Sequence, residues 1–160
     1  MFASDRSGGK LQLPMSAMNR RVFLAGAGSV FASTPRITIG LIGAGFRGTQ
    51  LLDACLAQPA VRIGAVCETY EPRMFGAGAI ARARGHRTRY YRLYRDLIAD
   101  DDIDAVIIAT PDFSHHAIAW EALKAGKHVY VEQPLSLTWE QGVELQKAEQ
   151  DSVQVVQVGS

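Results

Sequence analysis

The chain has 160 residues, 48% of them hydrophobic and 21% charged, and a formal net charge of +1. That length suffices for one domain with a sizeable core and is too short for two, and the near-zero charge exerts no global pull toward nucleic acid or anionic membranes. No apolar run approaches the ~18 residues of a membrane-spanning helix, and the two cysteines, Cys55 and Cys67, lack metal-ligand spacing and read as small buried hydrophobes.

Residues 1–34 read as a leader, distinct from a domain over 35–160. Arg20 and Arg21 precede the apolar run from Val22 to Ala32, and Ser33 and Thr34 follow it, which is the order of a secretory signal. The stretch Asn19-Arg20-Arg21-Val22-Phe23-Leu24 resembles a twin-arginine export signal, whose pathway carries folded proteins, so an exported or periplasmic location is expected. The alternative is an amphipathic or unstructured leader with a chance Arg-Arg pair on a cytoplasmic protein.

From Pro35 onward, β-branched runs alternate with helical patterns. Ile37–Ile42 is a continuous apolar run ending in glycines, the mark of a buried parallel strand. Gly48, Leu51, Leu52, Cys55 and Leu56 then fall at helical spacing. Val61–Cys67 reads as the second strand, residues near 72–85 as a helix rich in small residues, and Thr88–Tyr91 as a short third strand. A helical turn runs through Leu93, Leu97 and Ile98, and Asp104–Ala109 is the fourth strand. Residues 114–125 form a helix that Gly126 stops in the left-handed conformation. His128–Val131 is the fifth strand; Thr138 with Gln141 makes a capping box for a helix to about residue 150, and Val153–Val158 is the sixth strand. Strands joined by helix-length crossovers predict an α/β fold, a doubly wound and mostly parallel sheet of about six strands.

The sharpest local signal is Gly43-Ala44-Gly45-Phe46-Arg47-Gly48, between the first strand and the first helix. Gly43 suits the tight turn, Gly45 the close approach of a diphosphate, and Gly48 the packing of helix on strand. The helix N-terminus beyond them offers unpaired N–H groups to phosphate oxygens. Glu68 ends the second strand about 20 residues further on, where a carboxylate accepts hydrogen bonds from the adenosine ribose hydroxyls. It would repel a 2′-phosphate, which favours NAD over NADP, although Arg73 nearby offers that phosphate a partner.

Two later stretches, taken with this loop, carry a family resemblance: Ala109-Thr110-Pro111-Asp112-Phe113-Ser114-His115 after the fourth strand, and Glu132-Gln133-Pro134 after the fifth. Together the motifs resemble the NAD-binding Rossmann half of the Gfo/Idh/MocA oxidoreductases, from about Arg36 to Gly159. The resemblance implies that Thr110 and Pro111 lie against the cofactor at the carboxyl edge of the sheet, and it adds His115, Glu132 and Pro134 to the cofactor-binding set of Gly43, Gly45, Phe46, Arg47, Gly48 and Glu68. His115 matches the motif histidine, with a packing or capping role equally open, and the adjacent His116 has no match and is expected to be exposed. Asp112 or Ser114 is as readily a helix N-cap as a cofactor contact. Gln133 occupies the position of the family's lysine, which assists proton transfer or orients the substrate; glutamine does not titrate and cannot act as a general acid or base.

The family's substrate class implies a sugar or polyol dehydrogenase, with the substrate held by a second α/β domain that this chain ends before reaching. Hydride transfer depends on a substrate oriented at near-attack distance, so the chain is expected to bind a nicotinamide dinucleotide and to be inactive alone, as a truncated product or fragment. The alternatives are a non-catalytic nucleotide-binding module, which Gln133 favours, and part of an NAD-dependent glycoside hydrolase. Arg82, Arg84, Arg87, Arg89, Arg92 and Arg95, interleaved with Tyr90, Tyr91 and Tyr94, read as a solvated helix face and edge strand beside the cleft rather than a nucleic-acid surface. Trp120 and Trp139 read as partly buried packing residues. The four histidines support no metal site.

Overall fold

The computed structural model describes residues 36–159; the expected leader and export signal lie outside them. In chain order the elements are β1 (Ile37–Ile42), α1 (Phe46–Leu56), β2 (Val61–Cys67), α2 (Glu71–Ala83), β3 (Arg89–Tyr91), α3 (Tyr94–Ile98), β4 (Ala105–Ile108), α4 (His115–Lys124), β5 (His128–Val131), α5 (Trp139–Gln150) and β6 (Val156–Val158). Every neighbouring pair of strands is parallel, and the sheet order is β3-β2-β1-β4-β5-β6. This is the doubly wound α/β fold that the alternation predicts.

The central strands are mostly apolar because both sheet faces are covered. On one face Leu52 of α1 and Met74, Ala77 and Ala81 of α2 pack on Leu41, Ile63 and Val66. On the other, Leu97 of α3, Ile118, Ala119 and Leu123 of α4, and Leu145 of α5 pack on Ala65, Val106, Ile108 and Val131. The chain leaves β1 toward β2 and β3, then returns to place β4 on β1's other side. The carboxyl ends of β1 and β4 therefore send their connections in opposite directions, which opens a crevice between them.

Helix ends follow the sequence closely. Gly126 has φ +74 after α4, with its N–H on the Leu123 carbonyl and that of Lys127 on Ala122, so the last turn's carbonyls are met. At α5 the Thr138 hydroxyl accepts the Gln141 N–H at 3.3 Å, and Gln141 Oε1 accepts the N–H of Leu137 at 3.1 Å. The return bond of the capping box thus reaches one residue further back than the pattern predicts.

Several boundaries move. β6 begins at Val156 rather than Val153, because the chain is still turning: the Ser152 hydroxyl accepts the Gln154 N–H at 3.3 Å, and Val153 is 90% exposed. Asp104 and Ala109 flank β4 rather than belong to it, and the Asp104 carboxylate closes the ladder by accepting the Thr38 N–H at 2.8 Å. β3 starts at Arg89, α2 runs Glu71–Ala83, and a 3-10 turn over Asp112–Ser114 precedes α4.

Some side-chain expectations are corrected as well. Trp139, the first residue of α5, is 82% exposed rather than packed, whereas Trp120 does pack on the core. His116 is largely covered, with Nε2 at 2.9 Å from the Glu144 carboxylate of α5, off the line a hydrogen bond needs. Facing helices, invisible in local spacing, bury it.

Candidate cofactor cleft

A cleft of about 580 Å³ opens at the carboxyl edge of the sheet, between the loop after β1, the end of β2 and the segment after β4. Gly43 sits at its base with φ +91, and its N–H donates to the Cys67 carbonyl at 2.9 Å. A Cβ on Gly43 would lie 2.6 Å from the Ala109 carbonyl oxygen, so the turn is drawn against the end of β4 more tightly than any side chain permits. A Cβ on Gly48 would collide with the Gly43 carbonyl, which is the helix-on-strand contact expected of that glycine. Gly45 differs from both. It lines the cleft, and a Cβ there would meet no atom within 4 Å.

Glu68 faces this loop. Its Oε2 accepts the Ala44 N–H at 2.9 Å, and its Oε1 accepts the N–H groups of Thr69 and Tyr70 at 2.8 and 3.0 Å and the Thr69 hydroxyl at 3.2 Å. Burial pushes the carboxyl's pKa up, but the donors from Tyr70, Ala44 and Thr69 outweigh it and hold the group below the ordinary carboxylate range. Beneath it Cys67 is buried, and burial, with the nearby charges of Glu68 and Asp96, pushes its thiol up to about 12. Such a thiol is inert packing.

Thr110 and Pro111 line the opposite wall. The Ser114 hydroxyl lies 2.7 Å from both Thr110 Oγ1 and the Pro111 carbonyl. It therefore ties the segment to itself and leaves α4 without a side-chain cap. Asp112 likewise serves its own turn, accepting the Phe113 N–H at 2.8 Å.

The remaining sequence candidates surround the cleft without lining it. Phe46 is 83% exposed at the start of α1. Arg47 Nε meets Glu132 Oε1 at 2.9 Å, and the Tyr130 hydroxyl donates to the same oxygen at 2.9 Å, so the segment after β5 is pinned to the first turn of α1. His115 is buried behind the wall, with Nδ1 2.8 Å from the Pro134 carbonyl and Nε2 2.8 Å from that of Thr110. Gln133 is exposed, and the peptide bond to Pro134 is cis.

Tyr70, Phe113 and Arg92 also line the cleft; the sequence assigns no role to the first two and expects Arg92 only as a solvated charge beside it. The signal available for two of them was an aromatic residue just past a strand end; both are exposed, at 58% and 71%. Arg73 lines the cleft too, its guanidinium 5.8 Å from the Tyr70 ring centre. Of the arginine series only Arg92 borders the cleft. Arg95 pairs with Glu121, and Arg84, Arg87 and Arg89 face the opposite edge of the sheet, a dispersal that local sequence cannot show.

A glycine turn at the switch point, a helix N-terminus beyond it and a carboxylate at the end of β2 define a dinucleotide-binding Rossmann domain. The chain belongs to the Gfo/Idh/MocA oxidoreductase family: the model of that oxidoreductase family's NAD-binding Rossmann fold matches residues 37–160. A glycosyl hydrolase family 109 protein of Shewanella amazonensis is 36% identical over 120 residues, which cover 71% of this chain and 26% of that protein. Among solved structures, apo scyllo-inositol dehydrogenase from Lactobacillus casei superposes with a TM-score of 0.71 at 25% identity, covering 79% of this chain and 37% of that one. GenD2 from gentamicin A biosynthesis, solved in complex with NAD, gives 0.71 at 28% identity over 85% of this chain and 37% of its own. The chain thus spans about a quarter of the curated relative it matches.

Proposed function

We propose that residues 36–159 hold NAD in the cleft described, as the cofactor half of a protein acting on a sugar or polyol. The observation that carries the reading is the bond from the Ala44 N–H to Glu68, which sets the glycine loop and the ribose acid against each other in one crevice. Gly45 and the N-terminus of α1 would receive the diphosphate, Glu68 the adenosine ribose hydroxyls, and Thr110 and Pro111 the nicotinamide side. NAD supplies a hydride acceptor there; the residues of this chain bind and orient it.

The open space in front of Gly45 and the ionised carboxylate of Glu68 fit the group and favour the form without a 2′-phosphate. Calorimetric titration of the chain with NAD and NADP tests this, with tighter NAD binding expected; tighter NADP binding would overturn it. Arg47, Glu132, Pro134 and His115 then act by fixing the walls. Gln133, exposed at the family's lysine position, leaves binding intact and removes a titrating group from the substrate side.

A second reading, that the whole protein is a glycoside hydrolase with no net redox change, is favoured by the 36% identity to a family 109 protein. Product analysis of the full-length protein separates the two: a cleaved glycoside with unchanged total NADH supports the hydrolase, and accumulating NADH the dehydrogenase. The Arg20-Arg21 leader supports export of the folded protein, and a reporter fused behind residues 1–34 that stayed in the cytoplasm would refute that.

A further inference from the structure

A second concavity, of about 600 Å³, lies under the amino edge of β1–β3, at the opposite end of the sheet from the cofactor cleft. Arginines from four separate places converge on it: Arg36 before β1, Arg62 in β2, Arg84 and Arg87 in the connection from α2, and Arg89 in β3. Arg89 is satisfied, its two terminal nitrogens meeting Asp100 at 2.7 Å and Asp102 at 3.0 Å. Arg36, Arg62, Arg84 and Arg87 have no ion pair among the described residues. Like charges gathered in this way repel one another unless an anion is shared.

His86 reports the resulting field from inside the same concavity. Its Nδ1 accepts the Ile63 N–H at 3.0 Å, so Nε2 carries the ring's proton as a further donor. Burial first, and then the charges of Arg36 and Arg62, hold its pKa below the ordinary histidine value. The histidine is thus a neutral donor beside four guanidinium groups that have no ion pair among the described residues.

We propose that this concavity is an anion site, separate from the nucleotide cleft, which takes a compact phosphorylated small molecule between Arg36, Arg62, Arg84 and Arg87. Its volume falls within the roughly 300–1,000 Å³ of small-molecule sites. Guanidinium groups present paired N–H donors that match phosphate oxygens. β2 runs from Arg62 at this site to Cys67 beside Glu68, which puts the two sites roughly 20 Å apart. One ligand cannot bridge them as a dinucleotide would bridge the halves of a single cleft.

The test is calorimetric titration of the 160-residue chain with inorganic pyrophosphate, with and without saturating NAD, alongside an R62Q/R87Q variant whose fold is checked by circular dichroism. Both side chains are exposed, so the variant should fold. The expected result is saturable pyrophosphate binding that persists with NAD present, weakens about tenfold or more in the variant, and leaves NAD affinity unchanged. Binding that NAD displaces, binding equal in the variant, or no saturable heat would each overturn the proposal. So would an oligothymidylate that binds more tightly than pyrophosphate and is lost in the same variant, since that would make the arginines a nucleic-acid surface.

Discussion

The backbone N–H of Ala44 donates to Glu68 Oε2 at 2.9 Å, although the two residues lie 24 positions apart. One carboxylate thereby holds the glycine loop in shape and faces the space a ribose would enter. Hydrogen bonds to charged groups are worth about 1.5–3 kcal/mol. Glu68→Ala should therefore weaken NAD binding about 10- to 100-fold and change NADP binding much less. Titration calorimetry measures both, and equal losses for the two cofactors would mean that Glu68 only braces the loop.

The same carboxylate gives a pH dependence of known sign. Its pKa is lower in the folded chain than in the unfolded one, because backbone donors outweigh burial. Its contribution to stability is therefore complete above the unfolded value and fades as pH falls through the folded one. The stability difference between wild type and Glu68→Gln should be flat from pH 8 to about 5 and shrink only below the ordinary carboxylate value of about 4.3. Urea denaturation across that range measures it; a difference already shrinking between pH 7 and 6 would show a raised carboxyl instead.

The three loop glycines should respond differently to alanine. Gly43→Ala places a Cβ at a φ of +91 and 2.6 Å from the Ala109 carbonyl oxygen, and should cost about 1–3 kcal/mol. Gly48→Ala drives a methyl into the Gly43 carbonyl and should lower the unfolding temperature as well. Gly45→Ala meets no atom and should stay within about 0.5 kcal/mol of wild type, while its methyl takes up space the diphosphate needs and weakens NAD binding. Thermal unfolding and calorimetry on the three variants test the pattern, and full NAD affinity in Gly45→Ala would remove the loop from the diphosphate site.

This division between fold and site also shows what local sequence can reveal. The inner strands are legible because burial on both faces makes them mostly apolar, and the glycine loop because Gly43 and Gly48 each answer a backbone constraint. The roles of Arg47, Glu132 and His115 were not, since each depends on a partner brought in by a different crossover. The family resemblance marks His115 as a motif residue, but only the packing of α4 under the cleft shows its two ring nitrogens against the carbonyls of Thr110 and Pro134, one of which the ring N–H can serve. The arginine series failed for the same reason: residues adjacent in sequence around β3 point to opposite ends of the sheet.

His115 then makes a prediction that composition alone would not suggest. The residue is 2% exposed, and its ring lies 2.8 Å from each of two carbonyls, those of Thr110 and Pro134, in the segments after β4 and β5. His115→Ala leaves a cavity and a buried carbonyl without its donor, a loss of about 1–3 kcal/mol from the carbonyl alone. His115→Phe restores most of the volume but not the ring's hydrogen bond or its polar contact with the second carbonyl. If these contacts position the Thr110 wall, both variants should bind NAD more weakly than wild type, even though His115 does not line the cleft, and the phenylalanine variant should recover stability more than affinity. Wild-type NAD affinity in His115→Phe would reduce the histidine to packing and leave the wall to be set by Ser114 and the backbone alone.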